Sequence, residues 1–118
     1  MSRTHPSLTK LRRLAKSLPE SEEKETWGHP TFRTRDKIFA SFGEHEGRPS
    51  IGCKSTVPEQ AALLGDPQFF YPPYVGKQGW IGIYADEAEW DTVADLVEQS
   101  YRMIALKRNV KKLDELRS

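Results

Sequence analysis

Leu8, Leu11, Leu14, Ala15 and Leu18 recur three and four residues apart, which predicts an amphipathic helix over about 8–18. Ser7 can cap its start and Pro19 stops it. The polar cluster 20–25 then leads into a first strand ending near Trp27. Gly28-His29-Pro30 reads as a turn. Segments 31–35 and 37–42 are rich in aromatic and β-branched residues, and they predict a hairpin turning near Asp36. A polar, glycine-bearing loop is expected over 43–49 and a further strand over 50–55.

Thr56 and Glu59 have capping-box spacing and Pro58 suits a first helical turn, so about 57–64 is a short helix closed by Gly65. The aromatic segment 69–75 is broken by Pro72-Pro73 and belongs at a sheet edge. After a turn at 76–79, residues 80–84 make another strand. Trp90, Val93, Ala94, Val97, Tyr101 and Ile104 mark the buried stripe of a long helix over about 88–106. Val110, Leu113 and Leu116 extend it past a break near Asn109, on a thinner stripe. This order predicts an α+β fold: an antiparallel sheet with N-terminal and C-terminal helices packed on it and a short helix between strands. One domain is expected over 1–118, with a core of about 8–108 and a C-terminal extension over 109–118.

Composition narrows the class. The 118 residues are 36% apolar and 30% charged, with three Trp, five Phe and four Tyr, too aromatic for a disordered chain. No run approaches the roughly 18 apolar residues of a membrane span, and residues 1–6 lack the apolar stretch of a signal peptide. The lone Cys53 excludes an internal disulfide and a thiolate-clustered metal site, which makes a reducing, cytoplasmic location the expectation. The net charge of +1 hides blocks: basic in the first helix, acidic over 86–98, basic again over 107–112. Helix electrostatics accounts for the last two blocks without a metal.

Three stretches together carry a resemblance. They are Trp27-Gly28-His29-Pro30-Thr31-Phe32-Arg33 with Lys37-Ile38-Phe39-Ala40; Phe70-Tyr71-Pro72-Pro73-Tyr74-Val75-Gly76-Lys77-Gln78-Gly79-Trp80-Ile81-Gly82-Ile83; and Ser100-Tyr101-Arg102 with Lys107-Arg108. Cys53-Lys54 and the 58–64 helix fall between them. Over about 8–108 the chain resembles the MmcQ/YjbR family, described as DNA-binding. The resemblance implies a compact α+β fold similar to the frataxin-like fold, sometimes called a double wing. Gly76 and Gly79 depart from the family pattern, in which Asn precedes the residue at Lys77 and His the residue at Trp80. Frataxins use an acidic first helix, whereas this one carries Lys10, Arg12, Arg13 and Lys16, which argues against an iron role.

Candidate chemistry is cationic and aromatic. Arg33, Arg35 and Lys37 cluster about the hairpin turn, where alternate residues share a face; they suit either a phosphate backbone or charge protection of an edge. Lys54 points outward if Cys53 points inward. Lys77 lies in a glycine-flanked turn beside Trp80, suited to an anion or simply solvated. Arg102, Lys107 and Arg108 extend the patch if the fold gathers them. Phe69, Phe70, Tyr71 and Tyr74 offer stacking surfaces or core. His29 would need an orienting carboxylate or Cys53 to act as a base, and the nucleophile and phosphate-loop motifs are absent. The expectation is a non-enzymatic module without cofactor, metal or membrane attachment. It would bind DNA with low sequence specificity through the eight cations. The alternative is a protein-interaction or small-anion domain using the Pro72-Pro73-Tyr74 edge and Lys77, with His29, Tyr74 and Trp80 in its groove. Oligomeric state stays open.

Overall fold

The computed structural model describes residues 5–118. Residues 1–4, part of the segment read as lacking a signal peptide, lie outside the described residues. Helix α1 is Pro6–Lys16, and its cap is His5 rather than Ser7. The His5 Nδ1 accepts the Ser7 N–H at 3.1 Å, and Pro6 occupies the first turn, where its missing N–H costs nothing.

Six strands follow: β1 (Glu22–Thr26), β2 (His29–Thr34), β3 (Lys37–His45), β4 (Arg48–Lys54), β5 (Phe69–Phe70) and β6 (Trp80–Tyr84). They form one antiparallel sheet in the order β1-β2-β3-β4-β6-β5. The first four are joined by tight turns at Trp27–Gly28, Arg35–Asp36 and Glu46–Gly47. Every one of these turn residues has positive φ, between 51° and 81°. That is the turn whose twist matches the right-handed twist of the strands it joins.

Two expectations change here. His29 and Pro30 begin β2 instead of forming the turn. The loop expected over 43–49 shrinks to the two-residue turn Glu46–Gly47, with β3 running through Gly43 to His45 and β4 starting at Arg48. Gly43 punctuates nothing; it is bare because the His29 ring lies over it, and a Cβ there would sit 3.3 Å from the His29 Nδ1.

Helix α2 (Val57–Leu63) starts as its capping box predicts, with the Thr56 hydroxyl accepting the Glu59 N–H at 3.3 Å. Pro72-Pro73 ends the short edge strand β5, and a 3-10 turn over Gly76–Gln78 closes on Gly79 at φ 92°. Helix α3 (Trp90–Ile104) crosses the inner face of β3 and β4. The chain breaks at Ala105–Leu106, ahead of the expected Asn109, and reverses into α4 (Lys107–Arg117). Arg102 meets Asp114 at 2.7 Å and Arg117 meets Glu98 at 2.6 Å, so α4 runs antiparallel beside α3. Its Leu113 is fully buried and belongs to the core.

Alternation sends Phe32, Ile51, Cys53, Ile81 and Ile83 to the inner face, where they meet Leu11, Val97, Tyr101 and Leu113. Each large apolar side chain so buried contributes about 1.5–3 kcal/mol. Phe39 and Tyr101 pack edge to face at 5.4 Å, and the Tyr101 hydroxyl donates to the Pro19 carbonyl at 2.5 Å. The outer strand β1 reads Glu-Glu-Lys-Glu-Thr and buries no side chain. Among the described residues no helix is long and apolar enough to cross a membrane.

Candidate functional site

The same alternation sends His29, Thr31 and Arg33 of β2 to the opposite face of the sheet. Ser41, Gly43 and His45 of β3, Gly52 and Lys54 of β4, and Trp80 and Gly82 of β6 join them there. Gly52 faces the Ser41 hydroxyl and the Trp80 ring, 3.0 Å and 3.9 Å from where its Cβ would be. A Cβ on Gly82 would overlap the Phe70 ring, so Gly82 is what lets β5 lay that ring on the sheet. His45 stacks on Phe70, with ring centroids 3.9 Å apart and planes 7° from parallel. The result is a groove of about 410 Å³ with a glycine floor and walls that include Trp27, His29, Phe70, Pro73 and Trp80.

Of the residues expected in a groove, His29 and Trp80 line it, and Tyr74 does not. Tyr74 is 92% exposed at φ 66°, beside the 3-10 turn that carries Lys77. His29 and Cys53 cannot act together, because His29 lies on the open face and Cys53 in the core beneath the same sheet. Burial, reinforced by Glu59, pushes the Cys53 thiol up to about 12, so it is an inert apolar group.

The eight cations named from the sequence divide into two sets, and Arg12 joins the first. Arg33 is engaged internally: its guanidinium donates to the Thr26 hydroxyl at 2.9 Å and the Thr31 hydroxyl at 3.4 Å, and lies 3.8 Å from Asp36. Arg35 does not continue the row of Arg33. It sits in the left-handed turn at φ 56°, outside the strand, and donates to the Ile104 carbonyl at 3.2 Å. Arg102 is held between Glu98 and Asp114, and its bond to Asp114 raises its pKa further. Arg12 grips Glu23 at 2.9 Å, tying the basic face of α1 to β1.

Lys37, Lys54, Lys77, Lys107 and Arg108 have no carboxylate within 4.0 Å among the described residues. Strand direction brings their backbones to one end of the sheet. β3 starts there at Lys37, β4 ends there at Lys54, and β6 starts there just after Lys77. Arg35 ties that end to Ile104, three residues before Lys107. Lys54 and Trp80 are register partners, so their side chains emerge side by side on the open face.

The acidic block has partners of its own. Arg48 meets Asp86 at 2.9 Å and Glu87 at 3.1 Å, which holds the Asp86 carboxyl below the usual aspartate range. Among the described residues no three His, Cys, Asp or Glu side chains gather as metal ligands.

Phe70, offered by the sequence as a stacking surface, lines the groove, whereas sequence reasoning missed Trp27 and His45. Trp27 carried a readable signal: a Trp-Gly pair between strands is a turn that forces a large ring to positive φ, and here φ is 51° with the side chain 94% exposed. His45 and the glycine floor carried none, since strand order alone brings them together.

A family model described as YjbR matches residues 16–103. Among solved structures, the chain is similar to the crystal structure of Deinococcus radiodurans protein DR2400, which has the family-model domain DUF419. The TM-score is 0.74 and the identity 17%, over 91% of this chain and 87% of that chain. At that identity the likeness speaks for the fold, an α+β sheet packed with helices. No curated protein matches the chain.

Proposed function

The chain belongs to the YjbR family, and on that premise we propose that it is a non-enzymatic module that grips the phosphate backbone of DNA with low sequence specificity. What carries this reading is the strand order, which brings the backbones of Lys37, Lys54 and Lys77 to one end of the sheet, with Lys107 and Arg108 following the Ile104 that Arg35 reaches from that end, and with no carboxylate within 4.0 Å of any of the five among the described residues. A net charge of +1 keeps this field local to that end. Arg33, Arg35 and Arg102 each give at least one donor to an acceptor inside the protein, so the reading leans less on them than on the other five. A non-enzymatic reading draws support from the separation of His29 and Cys53 by the sheet and from the inert thiol. A cytoplasmic location goes with a single buried, reduced thiol.

Salt dependence tests the reading. Five phosphate contacts on duplex DNA give a slope of log affinity against log salt of roughly −4 to −5. Changing Lys54 and Lys77 together to Ala should make the slope shallower by about 2, while Arg33→Ala should leave it nearly unchanged. An unchanged slope in the double variant counts against the basic end. A second reading, a domain for a small anion or a protein partner at the Pro72-Pro73-Tyr74 edge, is favoured by Tyr74, whose ring is 92% exposed at positive φ beside Lys77. Absence of DNA binding at low salt, together with Tyr74-dependent capture of phosphate or of a defined protein, would select it.

A further inference from the structure

We propose that the groove on the open face takes an unpaired base of a single nucleic-acid strand, stacked against Trp80, while the adjoining phosphate meets Lys54. This rests on the phosphate-gripping reading and adds which form of nucleic acid the site selects.

Shape, chemistry and charge agree on that occupant. The groove volume of about 410 Å³ lies in the range of small-ligand sites, and its glycine floor lets the His29 and Phe70 rings lie close on the sheet as flat aromatic walls. The Ser41 hydroxyl and the Trp80 ring flank Gly52, so a hydrogen-bonding group stands beside a stacking surface. Lys54 is the register partner of Trp80, which sets their Cβ atoms roughly 5 Å apart. Lys77 precedes Trp80 by one short turn. Lys54 and Lys77 flank the Trp80 end, and Glu46 lies in the turn beyond the opposite end, so an anion is drawn to the Trp80 end. An apolar peptide would have no use for this polarity. A duplex keeps its base faces stacked away from any protein ring, whereas a single strand offers them.

Trp27 supplies an independent observation. Folding does not require its indole to stand 94% exposed at the lip of the groove, on a backbone with φ 51° that a large side chain rarely adopts. A second stacked base would cover it.

The test is fluorescence anisotropy of the full chain with a labelled short oligothymidylate and with a blunt duplex of equal length, plus tryptophan emission during the titration. The single strand should bind about tenfold tighter than the duplex and quench the emission. Trp80→Ala should abolish that preference and leave duplex affinity intact. Trp27→Ala, at a site too exposed to disturb the fold, should weaken single-strand binding severalfold. Lys54→Ala should weaken both. Equal binding of strand and duplex, with both tryptophan variants silent, overturns the groove assignment and leaves the phosphate reading standing. Failure of either nucleic acid to bind overturns both. Quenching by a proline-rich peptide without strand binding overturns the assignment in favour of a peptide site.

Discussion

The Ser100 hydroxyl donates to the Phe39 carbonyl at 2.7 Å, and the same oxygen accepts the Lys54 N–H at 2.9 Å. One fully buried side chain of α3 therefore fastens the helix to two adjacent strands, at the end where Lys54 emerges. Ser100→Ala leaves a buried carbonyl and a backbone N–H without this partner. It should cost about 1–3 kcal/mol in urea unfolding and speed hydrogen exchange at the Lys54 amide. Unchanged stability would show that both groups find other partners.

Gln60 does the same for the turn that carries Lys77. Its side-chain amide donates to the Gly76 carbonyl at 2.6 Å and to the Trp80 carbonyl at 2.7 Å, from a position that is 5% exposed. Gln60→Leu keeps the bulk and removes both bonds. A loss of about 1–3 kcal/mol in thermal unfolding is expected. Tryptic cleavage after Lys77 should also accelerate, since the 3-10 turn loses its anchor. Cleavage at the wild-type rate would place the rigidity of the turn elsewhere.

Cys53 predicts an alkaline loss of stability. Its folded pKa of about 12 exceeds the value of about 8.5 expected in an unfolded chain. The folded state therefore holds the thiol proton more tightly. The resulting stabilisation is complete below about pH 8.5 and declines as pH rises toward 12. Urea midpoints of wild type and Cys53→Ala should converge over that window. Parallel curves would rule out a thiol contribution. Iodoacetamide should label the native protein slowly and the urea-unfolded protein fast.

The ion pairs of Arg48 predict the opposite pH sign. Its guanidinium holds the Asp86 carboxyl below the usual aspartate range, so the pair stabilises at neutral pH and loses its effect as pH falls below about 4. The gap in melting temperature between wild type and Arg48→Gln should be largest near neutrality and close in acid. It should be small throughout and shrink with added salt, because both groups are solvated. A gap that persists in acid would point instead to the Arg48 guanidinium, 3.7 Å above the Tyr84 ring.

Much of the fold was legible because local rules agree with it. The stripe from Leu8 to Leu18, the Thr56–Glu59 box and the alternation around Phe32 each name an element by its own physics. Three things were not legible. Gly43 looked like a loop because its reason for being glycine is the His29 ring, fourteen residues away in the chain. Helix α4 looked like a thin extension because a single leucine, Leu113, is fully buried from it while ion pairs to Glu98 and Arg102 hold the rest. The candidate site was half visible: the cations could be named, but their company could not. Whether an arginine is free depends on strand register and on acceptors such as the Thr26 hydroxyl and the Ile104 carbonyl, which sequence does not pair.

The two margins of the sheet have a consequence for self-association. Along one margin, Glu22, Glu23 and Glu25 would confront their own copies if a second molecule tried to add its first strand there. The other margin offers only Phe69 and Phe70 before two prolines, neither of which has the amide hydrogen that a joining strand would need. With one border electrostatically guarded and the other too short to template, the sheet is closed to growth by strand addition, even while its open face stays available to a ligand.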